Sequence, residues 1–296
     1  MGISAAEFSE ALSSVVETTG KSVVRVEGSR RRPVSGIAWS KTQVITVAHG
    51  LEGDQTVMLS NGDATFKATV KGVDQTTDIA LLELVDGELP AASFNDGESV
   101  KVGQLSLLLA RPGETVRATS GIVSAVGRKP WRSVRGGEID RWLEADAPHQ
   151  PGFSGGALVG IDGRVLGMTS TAMAQRTSLT IPTTTLKKVV AQLQSHGRVR
   201  QSHLGLSLQP VQLPDAVRTI TDEEIGLLVL GVEAGGPAEK AGVFYGDTVL
   251  HLGDDSVKTL HDLYSYLRAD RVGQTVPVKL YRNGKVEHVQ VVLGAK

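Results

Sequence analysis

The chain has 296 residues, 31 Lys+Arg against 32 Asp+Glu, a formal net charge of −1 and no cysteine. That length holds two domains of ordinary size. The balanced charge points to neither nucleic acid nor an anionic membrane as partner, and the lack of cysteine excludes disulfides, thiolate metal sites and a cysteine nucleophile.

From the N-terminus, Met1-Gly2-Ile3-Ser4-Ala5-Ala6-Glu7-Phe8 has no basic region and no long apolar run, so no secretory signal is read there. Ala6 also breaks the myristoylation pattern. These features favour a cytoplasmic protein, with an exported mature form as the alternative. No stretch approaches the length of a membrane span. Residues 4–18 read as a helix with Phe8, Leu12, Val15 and Val16 on one face.

Residues 21–185 then give short apolar runs broken by glycine and aspartate turns: 22–27, 34–39, 43–48, 56–60, 64–73, 78–84, 104–110, 115–126, 139–146 and 156–170. That rhythm predicts β-barrels rather than alternating strands and helices. Two basic clusters, Arg30-Arg31-Arg32 and Arg128-Lys129 with Arg132 and Arg135, read as solvated loops, the second one mobile. Leu186 to Leu193 has apolar residues at helical spacing and closes this part of the chain. The divisions are an N-terminal helix over 1–20, a barrel unit over 21–195, a polar linker over 196–201 and a second unit over 202–296. The second unit opens on a glycine-containing strand, Leu204-Gly205-Leu206-Ser207-Leu208. It passes through Pro237-Ala238-Glu239-Lys240-Ala241-Gly242 and Gly246-Asp247, and ends with a helix, His261 to Arg268, and strands at 275–282 and 285–293.

Chemistry concentrates at Gly152-Phe153-Ser154-Gly155-Gly156. Glycines around a serine let the backbone N–H groups of Gly152 and Ser154 turn toward one point and hold a developing oxyanion. Gly152-x-Ser154-x-Gly156 also fits the nucleophile elbow of α/β-hydrolases, but an elbow serine is followed by a helix. Here Ala157 to Ile161, the turn Asp162-Gly163 and Arg164 to Met168 read as a hairpin, which favours an all-β hydrolase. A serine nucleophile needs a base and an orienting group. Among seven histidines, His49 alone follows a strand-like run, Val44 to Ala48, and directly precedes a glycine. Asp78 precedes the apolar run Ile79 to Leu84, where a partly buried carboxylate needs a partner such as an imidazole N–H. Asp74 is the rival acid, set in a polar turn with no strand to bury it. The order His49, Asp78, Ser154 is that of chymotrypsin-like double barrels.

With these residues in place, the chain resembles the high-temperature-requirement (HtrA) family of trypsin-fold serine proteases with a PDZ domain. The matching segments are Val44 to His49, Thr77 to Leu82, Thr119 to Arg128, Ser154 to Leu158 and Ile181-Pro182. The Pro-Ala-x-x-Ala-Gly series at 237–242 with Gly246-Asp247 resembles the PDZ fold. The resemblance implies a mostly β chain, a chymotrypsin/trypsin-like double β-barrel followed by an α+β PDZ domain. Its catalytic groups would be Ser154 as nucleophile, His49 as general base and acid and Asp78 as orienter, with the Gly152 and Ser154 N–H groups as oxyanion hole. Thr177, Ser178, Leu179 and Thr180 would form one wall of the pocket for the substrate side chain. Leu204, Gly205 and Leu206 would capture the peptide carboxylate, facing a helix that bears Leu260, Leu263, Tyr264 and Leu267. Members are commonly trimers joined through the N-terminal region, where Phe8 is available.

Three departures stand out: Phe153 where the family typically has asparagine, the lack of glycine before Ile181-Pro182, and a short first turn at 28–33. The implied function is a serine endopeptidase acting on unfolded or damaged proteins, needing no metal and no cofactor, whose PDZ domain binds peptide C-termini. The alternatives are a non-cutting PDZ-containing binding or chaperone protein on the same barrel, and an esterase using the same site.

Overall fold

The computed structural model describes residues 4–28, 32–51, 53–96, 99–127, 130–132, 137–172, 179–200, 202–267 and 271–295. Arg30, Arg31, Arg128, Lys129, Arg135, Thr177 and Ser178 lie outside them. The chain divides into two compact units, the first running to Val199 and the second beginning at Arg200.

The first unit opens with α1 (Ala5–Gly20). The Ser4 hydroxyl accepts from the Glu7 N–H, and the Glu7 carboxylate accepts from the Ser4 N–H, a reciprocal cap that satisfies two otherwise orphaned donors. Leu12, Val15 and Val16 pack against the main core, while Phe8 stays 45% exposed.

Six strands follow: β1 (Val23–Glu27), β2 (Val34–Ala38), β3 (Gln43–Val47), β4 (Thr56–Ser60), β5 (Thr65–Asp74) and β6 (Ile79–Leu84). They close into an antiparallel barrel in the order β1-β2-β3-β6-β5-β4. Next come β7 (Leu105–Ala110) and β8 (Arg117–Val126). The apolar run expected over 139–146 is divided. β9 (Trp131–Arg132) and β10 (Glu138–Ile139) pair as a separate ribbon, and β11 (Leu143–Ala145) joins the second barrel. Trp131 is therefore strand-paired with Ile139, not part of a plain loop.

β12 (Ala157–Gly160), β13 (Val165–Ser170) and β14 (Leu179–Pro182) complete the second barrel, ordered β11-β14-β13-β12-β7-β8. The chain then enters α2 (Thr183–His196), which buries Leu186, Val189, Val190 and Leu193 and packs on β5, β6 and β13. Gly197, at φ 69°, stops it, donating its N–H to the Leu193 carbonyl.

The second unit contains β15 (Ser202–His203), β16 (Leu206–Gln212), α3 (Asp215–Thr221), β17 (Ile225–Val232), α4 (Pro237–Lys240), β18 (Thr248–Leu252), β19 (Asp255–Ser256), α5 (Leu260–Tyr266), β20 (Thr275–Arg282), β21 (Lys285–Val292) and β22 (Gly294–Ala295). The main sheet runs β16-β17-β18-β20-β21, with β19 on β18 and β15 paired to β22. The strand expected at Leu204 starts only at Leu206, because Gly205 takes a left-handed φ of 74° that no extended strand accommodates. The closing helix begins at Leu260, capped by Thr259 and Asp262, and its last helical residue is Tyr266. The unit has its own core, centred on Leu227, Val229, Val249, Leu252, Val278, Leu280 and Val291.

No helix among the described residues is long and apolar enough to cross a membrane.

Candidate active site

Antiparallel register brings the first two candidates together. β3 ends at Val47, which lies opposite Ile79, the first residue of β6. His49 sits just past the end of one strand and Asp78 just before the start of the other. His49 Nδ1 lies 2.8 Å from Asp78 Oδ2 and 3.0 Å from Oδ1, and the His49 backbone N–H donates to Oδ1 at 2.9 Å. The Ser170 hydroxyl, at the end of β13, donates to Oδ2 at 2.5 Å. A carboxylate only 4% exposed is thus met by side-chain and backbone donors from both barrels. Asp78 itself has φ 57°, an uncommon conformation for a residue with a side chain.

The other acid, Asp74, is also buried, at 4% exposure. The sequence reading placed it in a turn without a burying strand. In fact β5 extends through it and pairs it with Ile79. Its carboxylate is occupied locally, accepting from the Thr76 hydroxyl at 2.6 Å and the Thr77 hydroxyl at 2.5 Å.

Ser154 lies in the loop before β12, 6% exposed. β2 of the first barrel fastens that loop. The Ser35 N–H donates to the Ser154 carbonyl at 2.9 Å, and the Ser35 hydroxyl donates to the Gly152 carbonyl at 2.8 Å. The Arg111 N–H donates to the same Ser35 hydroxyl at 2.9 Å. On the other side, the Gly155 N–H donates to the Thr169 carbonyl of β13 at 2.8 Å. Gly155 has φ 83°, and a Cβ there would sit 1.9 Å from the Ser35 carbonyl oxygen, so only glycine fits between the loop and β2. Gly152 has φ 84°.

Phe153, the departure flagged between them, is fully buried among Leu108, Ala110 and Ala147. The His149 ring meets it edge-on, with centroids 5.8 Å apart. Burial pushes the His149 imidazole below its ordinary value, and its Nε2 is a buried nitrogen with no hydrogen-bond partner among the described residues.

Among the described residues, the Ser154 hydroxyl bonds to the Thr171 hydroxyl, Oγ to Oγ1 at 2.9 Å, and not to His49. His49 and Asp78 are therefore directly joined. Ser154 connects to them through the consecutive residues Thr171 and Ser170. Of the four expected pocket-wall residues, Leu179 and Thr180 are described. Both are in β14, 2% and 1% exposed, and pair with Ser170 and Thr169.

Sequence reasoning did not single out Ser35, Ser170 or Thr171. Ser35 and Ser170 carried a signal: each is a polar residue in a strand buried along its whole length, where a hydroxyl needs a partner.

In the second unit, Leu204 is 2% exposed and belongs to the core. Its carbonyl accepts from the Ala238 N–H, and the Gly205 carbonyl accepts from the Glu233 N–H, each at 2.9 Å. Leu206 begins β16, which ends the sheet and has β17 on one side only. On α5, Leu263 is buried at 4% exposure, as is the capping Leu267 just past its end at 7%, while Leu260 and Tyr264 stay open at 36% and 37%.

Residues 34–168 match the trypsin-like peptidase domain, and residues 202–293 match the PDZ domain. The chain is a trypsin-like peptidase barrel pair followed by a PDZ domain. A DegP-like probable periplasmic serine endoprotease of Rhizobium meliloti is 33% identical over 283 residues, covering 91% of this chain and 55% of its own length. The counterpart from Halomonas elongata is 32% identical over 258 residues, covering 85% of this chain and 54% of its own length. The crystal structure of a serine endoprotease from Yersinia pestis aligns with a TM-score of 0.69 and 27% identity, covering 96% of this chain and 97% of that one. In sequence and in fold the chain is similar to HtrA and DegP-like serine proteases, and it spans about half the length of the DegP-like relatives it matches.

Proposed function

We propose that the chain is a serine endopeptidase that cuts unfolded or damaged polypeptides by acyl transfer. The observation that carries this reading is the His49–Asp78 contact, buttressed by Ser170, beside a glycine-shaped serine loop. With Nδ1–H donated to Asp78, the Nε2 lone pair of His49 is free to take a proton. Ser154 would lose its proton to that nitrogen as Oγ attacks the peptide carbonyl. The Gly152 and Ser154 N–H groups would hold the oxyanion. His49 would return the proton to the leaving amine, and water would then release the acyl group by the same steps. Leu179 and Thr180, being buried, would back the pocket wall through their pairing with β13. The PDZ domain would take peptide C-termini along the open edge of β16, with Leu204, Gly205 and Leu206 at the carboxylate. Assembly as a trimer through the region of α1 belongs to the same proposal, as does the boundary of the cutting domain near residue 195.

Replacing Ser154 with alanine removes the nucleophile and is expected to abolish casein cleavage, a loss on the order of 10⁶ where such residues act as a unit. Substantial cleavage by Ser154→Ala would reject the assignment.

One observation favours the second reading, a barrel that binds but does not cut: the Ser154 hydroxyl is bonded to Thr171 instead of His49. Labelling of the folded protein by a fluorophosphonate probe separates the two. A label that Ser154→Ala removes supports the protease, and its absence supports the binding protein.

A further inference from the structure

We propose that Thr171 is a positioning residue that holds the Ser154 hydroxyl in a resting orientation, away from the imidazole, and so sets how fast the serine reacts. The inference rests on the reading of Ser154 as nucleophile. Thr171 follows the last residue of β13, and its backbone is flanked by a fixed clamp. Ser170 donates its hydroxyl to Asp78 at 2.5 Å and accepts the N–H of Ala172 at 3.2 Å. The residue between them presents its hydroxyl to Ser154 at 2.9 Å.

Ser154 has one hydroxyl proton. If that proton is given to Thr171, it is not available to His49. If Thr171 is instead the donor, a lone pair of the attacking oxygen is occupied. Either direction of the bond opposes attack, and deprotonation by His49 requires the Ser154 side chain to turn first. The carboxylate that orients His49 and the hydroxyl that holds Ser154 are connected through two consecutive residues, so one short segment serves both the reactive and the resting arrangement. A hydroxyl–hydroxyl bond has a modest net strength, and the fraction of molecules ready to react scales the observed rate. Removing the bond should therefore raise reactivity about three- to tenfold.

The test is the second-order rate of fluorophosphonate labelling for the full chain and for Thr171→Val and Thr171→Ser, with Ser154→Ala as the blank. Thr171 is exposed, so its replacement leaves the core untouched, and thermal melts verify folding. Thr171→Val, which keeps the shape and loses the hydroxyl, is expected to label three- to tenfold faster and to turn over an activated ester with higher kcat at unchanged KM. Thr171→Ser, which keeps the hydroxyl, should stay slow, a rescue that a merely steric role would not give. If the parent labels at Ser154 while Thr171→Val labels no faster, or more slowly, this inference is wrong and the protease reading stands. If neither folded protein labels, both fail.

Discussion

Asp78 carries more of the candidate chemistry than any other single residue. It combines a left-handed backbone with a buried carboxylate that faces both the His49 imidazole and the Ser170 hydroxyl. Strain of this kind persists only where the surroundings over-determine it, and it gathers at functional sites. Asparagine keeps the shape but puts an NH₂ group where an acceptor is needed, forcing the wrong imidazole tautomer. Asp78→Asn is expected to lower kcat on an ester substrate about 10⁴-fold with little change in the melting temperature. A loss under tenfold would mean that His49 takes its tautomer from elsewhere. His149 gives a prediction of a different kind. Burial holds its folded-state imidazole below the ordinary value of 6.5, so as pH falls through that value the unfolded chain binds a proton first. The stability from neutral His149 is fully present above pH 6.5 and is lost below it. His149→Phe keeps the edge contact with Phe153 and cannot titrate. Between pH 8 and pH 5 its melting temperature should therefore fall less than that of the parent, and equal falls would assign the acid sensitivity to other groups.

At the scale of elements, α5 and the edge strand β16 frame the proposed peptide groove. Leu260 and Tyr264 are four residues apart, share a helix face and are the two exposed members of the set. Tyr264→Ala should weaken binding of a peptide with an apolar C-terminus about tenfold in fluorescence polarisation without shifting the unfolding midpoint. Amidation of the peptide's carboxylate should weaken it at least as much, and equal binding of the amidated peptide would remove the carboxylate nest from the account.

These elements also mark what the sequence made legible. Except for β14, the strands of both barrels follow the runs of apolar residues between turns, and α1 follows from the helical spacing of Phe8, Leu12, Val15 and Val16. His49 and Asp78 were visible because each terminates an apolar strand with a group that needs a partner. Gly205 misled, since a glycine among leucines reads as a strand residue until its φ is known. Asp74 misled because its neighbours look like an open turn, whereas β5 runs on and the threonines satisfy the carboxylate internally. Ser35, Ser170 and Thr171 owe their roles to bonds with residues far along the chain. Local pattern holds no record of such pairings, only the hint of a hydroxyl in a buried strand.

For the molecule as a whole, the decisive feature is that its hydrophobic residues gather into separate cores. The clusters of the first unit and that of the second share no residue. Each unit thus has the burial that a domain needs to fold by itself. Leu227, fully buried between strands of the second unit, provides the test. Leu227→Ala leaves a cavity and should cost about 2–5 kcal/mol of that unit's stability. In calorimetry, one transition should move down by several degrees while another stays in place. Peptide binding should be lost at the lower temperature, and fluorophosphonate labelling of Ser154 should survive to the upper one. A single transition carrying both properties down together would instead make the two units one cooperative body.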